Sequence, residues 1–144
     1  MNSDLKALYR DTLLKHSRDP RNRGEIEDPD HSACLKNPLC GDQITLYIAT
    51  RGDRIESARF EAQCCSICMA SASMLTFRVE GMTLGESDAF AATLAEAFNQ
   101  ANTPLPLPEN DKLHALEGVK SFPSRIRCAT LPWEALRKAI SNKQ

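Results

Sequence analysis

Aromatic side chains are scarce, 6% of the residues, and neither sign of charge prevails: 18 Lys and Arg stand against 19 Asp and Glu, a formal net charge of −1. A nucleic-acid partner or an anionic membrane surface would favour a basic excess, with aromatic residues to stack on bases, and neither is there. No apolar run approaches the roughly 18 residues that a membrane span needs. The opening residues, Met1-Asn2-Ser3-Asp4-Leu5-Lys6, lack the basic-then-apolar order of a secretory signal. Internal repeats are also lacking, and 144 residues suit one domain, residues 1–144, with a core that needs no disulfide or metal staple. These absences predict a cytoplasmic protein whose thiols stay reduced.

The chain has six cysteines. In a reducing compartment they point to metal or sulfur chemistry before a disulfide framework. Three of them fall where secondary structure is expected to change, and so does one carboxylate.

Leu5, Leu8, Tyr9, Thr12 and Leu13 recur at helical spacing behind a candidate N-cap, Asp4, so an amphipathic helix is predicted over 4–17. Pro20 and Gly24 end it. A short strand over Ala33 to Lys36 runs into a turn at Asn37. Ile44, Leu46 and Ile48 then alternate with polar neighbours as a strand with one buried face. Gly52-Asp53 signals a hairpin, so Arg51-Gly52-Asp53 is a turn here and not an adhesion motif. Ala58, Phe60 and Ala62 alternate on the returning strand. Helices are predicted over Ser66 to Gly81, rich in small residues, and over Ser87 to Ala101. An extended Pro104–Pro108 spacer follows, then a short helix at Lys112 to Leu116 and a connector from Val119 to Ile126. Pro132 is read as opening the last helix, which runs to Ser141. The fold class is α+β, a small three-stranded antiparallel sheet with helices packed on it.

Asn37-Pro38-Leu39-Cys40-Gly41-Asp42 sets a thiol and a carboxylate two residues apart on a tight turn. Pro38 is fixed near φ −65° and Gly41 can take positive φ, so Cys40 and Asp42 can point to one side. Cys65 stands at a strand-to-helix junction and Cys128 before the last helix. Three thiolates and one carboxylate suit tetrahedral zinc; a mixed sulfur–oxygen set also suits iron or a two-iron, two-sulfur cluster. Cys65 precedes a helix N-terminus, where free N–H groups favour negative charge. Arg125 and Arg127 flank Cys128 and could offset the net −2 of such a zinc site.

Three stretches carry a resemblance: Asn37 to Asp42, Cys65-Ser-Ile-Cys-Met-Ala-Ser-Ala-Ser73, and Phe122-Pro-Ser-Arg-Ile-Arg-Cys-Ala-Thr130. In this order they resemble the U-type proteins of iron–sulfur cluster assembly, most closely the SufU branch. The likeness covers nearly the whole chain, with Asp19–Gly24, Leu116–Val119 and the segment from Ala101 to Lys120 included. It implies a three-stranded sheet with helices on it, and Cys40, Asp42, Cys65 and Cys128 around one metal. The SufU branch implies zinc, sulfur accepted as persulfide from a SufS-type cysteine desulfurase, and delivery to a downstream iron–sulfur scaffold. The scaffold branch has His before its last cysteine; this chain has Arg127. Cys64 replaces the family's usual Gly, and Cys68 its frequent Ser.

The expected activity is zinc-dependent sulfur transfer, with Cys40 as the acceptor because its turn is the most exposed. Arg125, three residues before Cys128, is expected to assist catalysis by pairing with Asp42 or with the Cys40 thiolate. The alternative is a non-enzymatic scaffold on which an iron–sulfur cluster is built and handed on; a purely structural zinc protein is a third reading. Cys64 and Cys68 are read as partly buried structural thiols, Cys34 as core, and His16, His31 and His114 as surface or packing residues.

Overall fold

The computed structural model describes residues 3–38, 41–100, 103–109 and 111–142. The first helix, α1, is Ser3–Arg18. It begins one residue before the predicted Asp4 cap. Tyr9 is buried and Leu13 packs on the core, whereas Leu8, also counted as apolar-face, points outward at 54% exposure. The face that seats α1 is thus narrower than the spacing suggested.

Strands β1 (His31–Asn37), β2 (Asp42–Arg51) and β3 (Arg54–Gln63) form one antiparallel sheet in the order β1-β2-β3. The alternation is strict on β2, where Ile44, Leu46 and Ile48 are fully buried, and Ala58 and Phe60 continue that face on β3. Cys34 is the exception to expectation. It pairs with Thr45, whose neighbours Ile44 and Leu46 fill the buried face, so register puts Cys34 on the opposite face, exposed. Gly52, at φ +63°, makes the β2–β3 hairpin as predicted.

Helices α2 (Ser66–Val79), α3 (Leu84–Phe98) and α4 (Pro123–Ser141) follow, with a 3₁₀ helix over Lys112–Ser121 before α4. Helix α4 crosses β1 and β2, and α2 and α3 pack against it. Helix α3 starts three residues earlier than predicted. Thr83 Oγ1 accepts from the Glu86 N–H, and the Glu86 carboxylate accepts from the Thr83 N–H, a reciprocal cap that fixes the start. The predicted end at Ala101 lies outside the described residues; the helix closes at Phe98.

The larger correction concerns α4. Its first residue is Pro123, and Pro132 lies inside the helix. The expected connector is therefore 3₁₀ helix followed directly by α4, and Cys128 sits in the second turn of α4 instead of ahead of it. Both prolines carry the same preference for a helix start, and the earlier one takes that role. Pro132 survives mid-helix because α4 is held on several sides: Leu131, Trp133, Ala135 and Leu136 are all fully buried. Proline has no N–H, so the Cys128 carbonyl receives no helical hydrogen bond from residue 132.

Candidate metal centre

Sheet register begins the site. Gln43 pairs with Gln63, so Asp42, at the start of β2, lies beside the chain as it leaves β3 toward Cys65. Asn37 pairs with Asp42 across the preceding turn, closed by the Gly41 N–H donating to the Asn37 carbonyl at 2.8 Å, with Gly41 at φ +77°. That positive φ is the reason for glycine there. Helix α4, lying across the sheet, brings Cys128 over the same corner. One donor atom each from Asp42, Cys65 and Cys128 falls within 4.8 Å of the others.

Each of the three is held for this position. Cys65 caps α2 with its backbone alone, in extended conformation, and its side chain makes no capping bond. The thiol is left for other use, at the end of the helix that favours negative charge. The Cys65 N–H donates to Asp42 Oδ1 at 3.2 Å, which orients the carboxylate. Asp42 is 5% exposed, and its Oδ2 has no hydrogen-bond partner among the described residues. A buried carboxylate oxygen without a donor costs on the order of 1–3 kcal/mol or more, and a cation between it and two sulfurs removes that cost. Cys128 is 3% exposed. Burial first, then the Cys65 sulfur and the Asp42 charge, push its thiol above the ordinary range. A metal held there would have to displace that proton.

Cys40, the fourth expected ligand, lies outside the described residues, two positions before Asp42 in the sequence. Arg125 and Arg127 are both exposed, in the first turns of α4. The Arg125 side chain makes no ion pair among the described residues, so the expected pairing with Asp42 is not formed. Being three residues before Cys128 on one helix, it stands on the same helix face one turn away. Arg127 pairs instead with Glu134, Nε to Oε2 at 3.3 Å, at the surface.

The remaining thiols separate cleanly. Cys68 is fully buried, and a hydrogen bond to the half-buried Cys64 sulfur, then burial, raise its pKa. His31 and His114 are packing residues, as expected: His31 is buried with Nδ1 3.1 Å from the Ala139 carbonyl, and His114 bridges Glu117 and the Pro108 carbonyl. His16 Nδ1 is 2.7 Å from Ser73 Oγ.

One supporting residue was missed. Ser71, fully buried on α2, donates to the Ala129 carbonyl at 2.6 Å and accepts from the Trp133 indole N–H at 3.1 Å. It ties α2 to α4 beside Cys128, so the helices that carry Cys65 and Cys128 are held in one register. The signal in the sequence was a lone tryptophan, whose N–H needs a partner when buried.

The fold and this corner define a class. A family model described as the NifU-like N-terminal domain matches residues 8–144, and the chain belongs to that family, whose members include iron–sulfur cluster assembly proteins. Among its relatives, the zinc-dependent sulfurtransferase SufU of Bacillus subtilis is 36% identical over 99% of this chain and 96% of its own. The iron–sulfur cluster assembly scaffold protein IscU of Streptococcus pyogenes is also 36% identical, over 96% of this chain and 86% of its own. The crystal structure of a NifU-like N-terminal protein from Brucella abortus has the same fold, with a TM-score of 0.82 over 96% of each chain at 23% identity. No helix among the described residues is long and apolar enough to cross a membrane.

Proposed function

We propose that this protein is a zinc-dependent sulfurtransferase of iron–sulfur cluster assembly, working in the cytoplasm. It takes sulfur from a SufS-type cysteine desulfurase and passes it to a downstream iron–sulfur scaffold. The observation that carries this reading is the trio of buried Asp42, half-buried Cys65 and buried Cys128, with Asp42 Oδ2 left unpartnered among the described residues and Asp42 two positions after Cys40 in the sequence.

Two thiols and a carboxylate, with Cys40 as a fourth donor, suit zinc in kind and number. Zinc bound there would hold the thiols as thiolates near neutral pH. The chain's own groups then divide the work. Cys65 and Cys128, on helices joined through Ser71, are the fixed donors. Asp42, oriented by the Cys65 N–H, supplies the hard oxygen. Cys40 is the reacting thiol: its thiolate attacks the terminal sulfur of the desulfurase persulfide. A new sulfur–sulfur bond forms to Cys40, the donor's sulfur–sulfur bond breaks, and the desulfurase cysteine leaves as a thiolate. Arg125, exposed and without an ion pair among the described residues, supplies positive charge near the Cys40 thiolate as it comes free.

The equal identity to a scaffold protein supports a second reading, an iron–sulfur cluster carried on the same four residues. Protein purified without oxygen separates the two. Colourless protein with about one zinc per chain supports sulfur transfer, whereas brown protein with iron and acid-labile sulfide supports the scaffold. Cys40→Ser should keep the fold and retain metal on the remaining donors, and should lose persulfide acceptance. Equal sulfur transfer by the variant and the wild type at matched metal content would remove Cys40 from the mechanism.

A further inference from the structure

About eighteen ångströms along α2 from Cys65, at the 1.5 Å rise of a helix, the other end of that helix forms one wall of a separate cleft. Its other walls are the C-terminal half of α1 and the start of the 3₁₀ helix, and its volume is about 350 Å³. Nothing in sulfur transfer uses it.

Its charge is unlike that of the chain. Lys15, Arg21, Arg78 and Lys112 line it against Asp19 and Asp111, an excess of two positive charges in a protein of net charge −1. Arg78 is occupied: it pairs with Asp111 and lies over the Phe90 ring, 4.8 Å from the centroid. Lys15, Arg21 and Lys112 form no ion pair among the described residues. Lys15 on α1, Arg21 in the loop after it and Lys112 at the start of the 3₁₀ helix line the cleft together with His16. After burial, their charges are what lower its pKa, in the order Arg21, Lys112, Lys15.

His16 is held ready as a donor. The Arg21 N–H donates to Ser73 Oγ at 2.7 Å, so the Ser73 hydroxyl proton is free to go to His16 Nδ1, also 2.7 Å away. In the neutral ring the proton is then on Nε2, which has no partner among the described residues. Phe77 completes the picture. It lines the cleft beside Met74 yet is 71% exposed, more than Leu8, Leu14 or Phe122. A bare aromatic ring beside cations is an arrangement that takes a flat group and an anion together.

We infer that this cleft binds a phosphate-bearing small molecule with a flat apolar group, of the size of a mononucleotide. The phosphate lies among Lys15, Arg21, Lys112 and the His16 Nε2–H, and the flat group lies on Phe77. The volume is at the lower end of the range for small-molecule pockets and matches a single nucleotide better than a dinucleotide.

The test is titration of the full-length, metal-loaded protein with adenosine monophosphate, and separately with inorganic phosphate, followed by calorimetry and by NMR of the His16 and Phe77 rings. Adenosine monophosphate should bind more tightly than phosphate and move both ring signals; phosphate should move His16 alone. The double variant Lys15→Gln/Arg21→Gln should weaken both ligands by roughly tenfold or more. Phe77→Ala should weaken adenosine monophosphate by roughly fivefold and leave phosphate unchanged. All three side chains are at the surface, and unchanged circular dichroism and metal content would show that the variants fold. Equal affinity for the two ligands, a silent Phe77 ring, or a double variant that binds like the wild type would each overturn the inference. Loss of sulfur transfer in Cys40→Ser has no bearing on it, so the two readings fail separately.

Discussion

Asp42→Asn should make the metal-free protein more stable and the metal-loaded protein less so. Asp42 Oδ1 accepts the Cys65 N–H at 3.2 Å, while Oδ2 is buried without a donor among the described residues. An amide of the same shape keeps the first bond and replaces the bare charged oxygen with an NH₂ group that can donate to a nearby sulfur. Removing one unsatisfied buried charged oxygen should raise the unfolding free energy of the metal-free protein by about 1–3 kcal/mol. At this size that is a rise in Tm of roughly 3–9 °C. With zinc bound the sign reverses, because the amide is the poorer ligand. Each tenfold loss of affinity removes about 1.4 kcal/mol of metal-linked stabilisation at saturating zinc. The assay is denaturant unfolding of both proteins, with chelator and with a fixed zinc excess. If the variant is less stable than wild type in chelator, Asp42 is a structural residue and its orphaned oxygen does not mark a metal site.

Other substitutions test the packing and the charges. Ser71→Ala leaves the Trp133 N–H and the Ala129 carbonyl without their buried partner, and should cost about 2–4 kcal/mol in denaturant unfolding read by tryptophan fluorescence. Arg125→Ala should keep zinc and fold but lose most desulfurase-coupled sulfide release. Arg125→Lys should retain part of that release, and Arg127→Ala should be milder, because Arg127 is engaged with Glu134. Wild-type turnover by Arg125→Ala would make the arginine surface charge only. The pKa of His16 is lowered from 6.5 in the folded state, by burial first and then by neighbouring cations. The unfolded chain therefore takes up the proton first, so this residue's contribution to stability is complete above pH 6.5 and falls as the pH drops below it. His16→Gln should flatten that part of the stability–pH curve measured by denaturant midpoint.

The elements that face water on one side were the legible ones. The β2–β3 hairpin followed from strict alternation and a Gly-Asp turn; Asp42 and Cys65 were marked by element boundaries, whereas Cys128, which lies inside α4, was marked only by the family motif. Buried helices were harder. In α4 Arg127, Glu134, Arg137 and Lys138 share one side, but the first turn, with Ser124 and Arg125, is polar and exposed, so the apolar pattern gave no start there, and Pro132 drew the boundary nine residues past Pro123. Thr83-x-x-Glu86 was a readable cap that the apolar pattern from Phe90 onward obscured. Cys34 was assigned to the core on residue type, when the register of its strand against Thr45 decides its side. That register is a long-range fact, and no local window contains it. The Phe77 cleft was equally out of reach, since its cations come from segments almost a hundred residues apart in sequence, from Lys15 to Lys112.

Pro132 divides α4 into two parts. Beyond it, Trp133, Leu136 and Ala139 are locked into the core and cannot shift without opening cavities. Before it, the turns that carry Arg125 and Cys128 lack one rung of the hydrogen-bond ladder, at the Cys128 carbonyl. A tilt of this piece breaks no bond at that rung, but Ala129 and Leu131 are fully buried and Ser71 holds the Ala129 carbonyl, so the turn that carries Cys128 is anchored as firmly as the part beyond the proline. In engineering terms α4 is a beam clamped on both sides of its notch, and only the exposed first turn, with Arg125, overhangs the clamp.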